Sequence, residues 1–92
     1  MPIEVASRVV AIPDQVSCEI ADDLAILSLR DGVYYGLNPV GARIWGIVQN
    51  PVSVEEVVTT ILAEYDIDAA ACQADVLRVL NDLSSHGLLE LV

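Results

Sequence analysis

The sequence predicts an α+β domain, a three-stranded antiparallel meander followed by three helices, and three features predict it. Two runs of strand-forming residues flank the pair Asp31-Gly32. Three polar residues, Asn38, Ser53 and Asp68, each head a segment whose apolar positions recur at helical spacing. Hydrophobic residues make up 54% of the 92 and charged residues 20%, enough apolar surface to offset the entropy of ordering the chain. That length suits one domain over residues 1–92, with a single core and little room for a deep enzymatic cleft.

Residues 1–15 carry Pro2, Pro13 and scattered apolar positions, which reads as a loose N-terminal arm or a short edge strand. From Val16 to Ile20 the apolar Val16, Cys18 and Ile20 alternate with Ser17 and Glu19, the period of a half-buried strand. Asp22-Asp23 supplies the turn after it. Leu24 to Leu29 is nearly continuously apolar, and Val33 to Leu37 resumes with strand formers after Arg30-Asp31-Gly32. An Asp-Gly pair in that setting favours a two-residue type I′ hairpin, because both central residues need positive φ. The register that follows sets Leu29 against Tyr34, Ser28 against Tyr35, Leu27 against Gly36 and Ile26 against Leu37. One face then holds Leu27, Leu29 and Tyr34, and the other holds Ile26, Ser28, Tyr35 and Leu37.

Asn38 is a good N-cap, and Pro39 is preorganised at the first helical position, where its missing donor costs nothing. Val40, Ile44, Ile47 and Val48 give this first helix its stripe, with Trp45 as a core anchor, and Asn50-Pro51 stops it. Gly41 and Gly46 are expected to allow close packing. Ser53-Val54-Glu55-Glu56 is a capping box, in which Ser53 and Glu56 satisfy each other's backbone donors, and Val52 with Val57 forms the staple. Val57, Val58, Ile61, Leu62 and Tyr65 are the buried side of the second helix. A third helix runs from about Ala69, capped by Asp68, to Ser85, with Gly87 as a left-handed terminator. Cys72, Val76, Val79, Leu80 and Leu83 share its stripe, Leu77 lies on the far edge, and Asp75 and Asp82 border Val79. Leu88, Leu89, Leu91 and Val92 suit a short terminal strand.

Charge narrows the partners. Fourteen acidic residues against four basic ones give a formal charge of −10, a field that repels phosphate backbones and disfavours nucleic acid. No apolar run approaches the roughly 18 residues of a membrane span and no secretory leader opens the chain, so a cytoplasmic location without membrane attachment is expected. Cys18 and Cys72 are too few and too far apart for a disulfide scaffold and are expected as buried thiols. Cys72 and His86 on one helix would lie about 21 Å apart, so they share no metal ion. No metal or other cofactor is expected.

In a meander the third strand has one neighbour, so its outer edge keeps unpaired N–H and C=O groups unless the terminal strand or a ligand covers it. Such an edge can accept an added strand, with main-chain hydrogen bonds for affinity and side-chain pockets for specificity. It can equally pair with its own copy.

The run Val33-Tyr34-Tyr35-Gly36-Leu37-Asn38-Pro39-Val40-Gly41-Ala42-Arg43-Ile44-Trp45 resembles the PqqD family, especially the stand-alone leader-binding proteins, or RiPP recognition elements, of lasso-peptide biosynthesis. The Ser53-x-x-Glu56 helix, Tyr65 and Gly87-Leu88-Leu89 extend the likeness over residues 16–92. The resemblance implies a winged helix-turn-helix-like fold with no catalytic residues of its own. It implies binding of a precursor's leader peptide antiparallel to the third strand, in the groove between that strand and the third helix. A separate cysteine-protease-type partner would cut the leader, and a cyclase would close the ring. Carried over, the leader-binding set is Val33, Tyr34, Tyr35, Gly36 and Leu37 on the strand, with Cys72, Asp75, Val76, Val79, Asp82 and Leu83 on the helix.

Other readings of these residues stand beside that one. Strict alternation sends Tyr34 and Tyr35 to opposite faces, so one packs on the helices and one is available, and the sequence leaves open which. Stripes such as Val76, Val79 and Leu83 are ordinarily core, and Asp75 and Asp82 suit a solvated face. A winged-helix DNA-binding regulator shares the element order, but its recognition helix here has only Arg78 as a base. An acidic carrier protein needs a serine at a helix start in an Asp-Ser-Leu context, and Asp82-Leu83-Ser84 has the wrong order near a helix end. Ser84, Ser85 and His86 are neighbours that point in different directions on a helix, not a triad.

Overall fold

The computed structural model describes residues 3–13, 15–21 and 23–92. Six strands and three helices follow in the order β1 (Arg8–Ala11), β2 (Gln15–Ile20), β3 (Asp23–Ser28), β4 (Tyr34–Leu37), α1 (Pro39–Ile47), β5 (Val52–Ser53), α2 (Val54–Glu64), α3 (Ala69–Ser85) and β6 (Leu89–Leu91). They make two antiparallel three-stranded sheets, ordered β2-β3-β4 and β5-β1-β6. The first is the expected meander, and the α+β class holds.

Its register differs from the expected one. Leu27 pairs with Tyr34, Ile26 with Tyr35, Ala25 with Gly36 and Leu24 with Leu37, a shift of two residues. The turn is the cause. Gly32 has a φ of 71°, but Asp31 is not in the left-handed region, so the two-residue type I′ geometry does not form. Instead a longer loop closes, with Gly32 N–H donating to Ser28 O at 2.9 Å and Val33 N–H donating to the Asp31 carboxylate at 3.2 Å. That hydrogen bond also holds the Asp31 carboxyl below the usual carboxylate range. A slip of two preserves the faces, because side chains alternate with period two. Leu24, Ile26, Ser28 and Leu37 are buried on the inner face, while Leu29 stands exposed in the loop.

The outer face departs further from expectation. Val16 is 52% exposed and Cys18 is an exposed thiol, so the apolar side of β2 faces solvent. Alternation was legible there but not its direction, which depends on which side of the sheet the helices cover.

Residues 3–12 form no loose arm or edge strand. β1 is the centre of the second sheet, with Val9 fully buried between Val52 of β5 and Leu91 of β6. Asn81 of α3 ties down the chain ahead of it, accepting from Ile3 N–H at 2.8 Å and donating to Leu77 O at 2.9 Å. The C-terminal strand therefore pairs with β1 and not with β4.

The helices start where expected. Asn38 accepts from Gly41 N–H at 2.8 Å, Ser53 from Glu56 N–H at 3.1 Å and Asp68 from Ala71 N–H at 3.1 Å. The capping box is half made, since the Glu56 carboxylate meets the Ser53 hydroxyl at 3.2 Å rather than its backbone. α3 ends in a Schellman turn: Gly87, at φ 72°, donates to Ser84 O, and Leu88 donates to Leu83 O, each at 3.0 Å. Trp45, Ile44, Ile61, Leu80 and Leu83 anchor the core. At Gly41 a Cβ would come within 3.0 Å of Leu37, so this glycine lets α1 sit tightly against β4. Gly46 is exposed and crowds nothing, so it has no such role.

Candidate functional site

Among the described residues β4 is the terminal strand of its sheet, paired with β3 alone. Ser28 N–H donates to Val33 O at 3.0 Å, which aims the backbone groups of Val33, Tyr35 and Leu37 at β3. Alternation then turns the N–H and C=O of Tyr34 and Gly36 outward. These four groups are the open edge.

The two tyrosines part as alternation requires. Tyr34 is 71% exposed on the outer face. Tyr35 lies on the inner side, its ring edge-on to His86 at the end of α3, with centroids 4.7 Å apart. Burial raises the Tyr35 phenol above its ordinary value of 10.0, and the Asp82 carboxylate adds to the effect while Arg78 opposes it. His86 is held in place by a 2.7 Å contact between its Nδ1 and Asp82 O. Tyr35, Asp82 and His86 thus wall one end of the space between β4 and α3.

Between α1 and α3, reaching Asn38 just past the end of β4, lies a hollow of about 160 Å³, floored by Val40, Ile44, Cys72, Val76 and Val79 and bordered by Asn38, Ile67, Asp75 and Arg78. Of the expected helix residues, Cys72, Asp75, Val76 and Val79 meet here. Cys72 and Val76 are floor, almost wholly enclosed, while Val79 keeps 9% of its surface open. Burial pushes the Cys72 thiol up, with Asp75 adding to the shift, which suits an inert lining residue. Leu83 drops out of the expected set. It is 0% exposed, packed in the core. Leu37 is likewise buried and its backbone groups are turned to β3, while Val33 is exposed in the loop before β4.

Ile67 has no counterpart in the sequence reading. It lies between Asp66 and Asp68 in the α2–α3 connection, 43% exposed, and a lone apolar residue between two acids was its only signal. Asn38, Val40, Arg78 and His86 were legible as cap, stripe, base and helix end, but not as lining of the site.

The model of the family described as Coenzyme PQQ synthesis protein D (PqqD) matches residues 23–89, most of the chain. This chain belongs to the PqqD family. The matched span covers the site from β3 through α3 and leaves β1 and β2 outside it. Among solved structures, the PqqD-family chain is 36% identical to TbiB1 in complex with the TbiA(beta) leader peptide, covering 88% of this chain and 94% of that one with a TM-score of 0.79. A lasso peptide synthetase B1 complexed with the leader peptide shares the fold at 20% identity and a TM-score of 0.77, covering 89% of this chain and 96% of that one. Among curated proteins, none matches the chain.

Proposed function

We propose that this chain binds the leader segment of a ribosomally made precursor in lasso-peptide biosynthesis, by adding it as a strand antiparallel to β4. The observation that carries the reading is the open edge of β4 beside the apolar hollow on α3. The complexed state of the similar TbiB1 and of lasso peptide synthetase B1 supports it. Four edge hydrogen bonds, each worth a net ~1 kcal/mol, fall short of the roughly −8 to −12 kcal/mol of micromolar to nanomolar binding. Leader side chains in the hollow and against Tyr35 supply the remainder by apolar burial. The chain itself is non-catalytic and cytoplasmic. It hands the held leader to a separate cysteine-protease-type peptidase, with a cyclase acting afterwards, and gains efficiency by raising effective concentration.

Calorimetry with the leader of the precursor encoded beside this chain's gene tests the reading. Gly36→Pro removes the outward N–H without touching the β3 ladder, and Val79→Ala trims the hollow. Both variants should keep a cooperative melt and bind about tenfold or more weakly, a loss of ~1.4 kcal/mol. Parent-like affinity in both would rule out the β4 groove.

A further inference from the structure

Gly36 sits inside a strand, where glycine weakens the sheet, so some requirement should hold it there. Among the described residues, nothing in the chain itself does. Its φ is not positive, and a Cβ built on it meets nothing within 4 Å. Its cross-strand partner on the outer face is the small Ala25. Together they floor an open depression of about 420 Å³, lined also by Asp23 and Asn38 on the same face and by their strand neighbours Leu24 and Leu37. Tyr34 is exposed two residues away on the same face, outside that lining but next along the strand.

We propose that this depression is a second specificity subsite, on the face of the sheet opposite the α3 groove. Its occupant is the outward-pointing side chain of the leader residue that lies directly across from Gly36, and the inference rests on the strand-addition reading above. An added strand alternates its side chains between the two faces, so binding at β4 obliges every second leader residue to lie on this outer side. The residue opposite Gly36 finds no side chain to meet, and a large one folds across the glycine onto Ala25 and against the Tyr34 ring. Cross-strand shielding of a strand glycine by an aromatic is a known source of pairing specificity. The subsite therefore takes an aromatic or long aliphatic side chain, while the hollow on α3 reads the residues of the opposite parity.

A displayed library of random peptides, long enough to span β4 and sorted against the parent protein, Gly36→Val and Ala25→Leu, tests this. Both substitutions fill the depression, and Ala25→Leu does so from β3, away from the edge hydrogen bonds. Parent selections should enrich large apolar residues at one position, and both variants should shift that position alone to glycine or alanine. Individual parent-selected peptides should lose about tenfold or more in affinity for the variants and regain it when that one residue is made alanine. The same preferences on all three proteins would overturn the subsite while leaving strand addition at β4 intact. A parent that enriches no extended peptide would overturn both.

Discussion

The two sheets of this protein are built from the same kind of antiparallel pairing and end in opposite states. β1 is flanked on both sides, by β5 and by the C-terminal β6, and its Val9 is sealed from solvent. β4 is flanked on one side only, and Tyr34 beside its open edge is the most exposed of the large apolar residues among those described. An edge strand is ordinarily a hazard that a chain covers with its own terminal segment. Here the terminal segment covers β1, and the edge nearest the apolar hollow is left open. The closed sheet and the open-edged sheet therefore differ in where β6 pairs.

The largest expected effect breaks the closed sheet. Val9→Asp buries an unpaired charge between two strands and should cost about 4 kcal/mol or more, enough to unfold a small domain, as a denaturant melt would show. Tyr34→Ala, at an exposed position of the open sheet, should move the same melt by less than ~0.5 kcal/mol. Hydrogen exchange sharpens the contrast amide by amide. Tyr34 and Gly36 should exchange freely in the unbound protein and become protected by bound leader, whereas Val9 and Tyr35 should be protected in both states.

An effect between those of Val9→Asp and Tyr34→Ala lies at the joint between β4 and α1. Asn38→Ala removes the cap that accepts from Gly41 N–H and should cost about 1 kcal/mol of stability in a denaturant melt. The smallest concerns pH at the groove wall. Burial and Asp82 raise the Tyr35 phenol, so its contribution to stability is fully present below the ordinary tyrosine value of 10.0 and fades as pH climbs through the raised one. Tyr35→Phe should abolish that alkaline decline and remove the late component from a tyrosinate absorbance titration.

Local signals were legible wherever one residue's chemistry acts on its near neighbours. Asn38, Ser53, Asp68 and Gly87 mark helix ends because their side chains, or the lack of one, satisfy backbone groups within a few residues. The two faces of the hairpin survived an error in its register for a related reason: Asp31-Gly32 announced a turn, and a slip of two leaves parity unchanged. Misreadings fell where the deciding partner is distant. The role of β1 depends on Val52 and Leu91, far along the chain, and four residues carry too few periods to reveal a central strand. Leu83 and Val79 share a helical stripe, yet one is wholly enclosed and the other lines the hollow, a difference set by the elements packed around α3 and not by the stripe.

By itself, then, the sequence determined the class of the fold, the order and capping of its helices and the existence of a meander ending at Leu37. Those follow from periodicity and short-range hydrogen bonding. Tertiary structure alone decided that β6 pairs with β1, that Tyr35 rather than Tyr34 faces α3, and that Val16 and Cys18 look outward. An open edge is a statement about what every other segment of the chain did not do, and no local pattern carries that information.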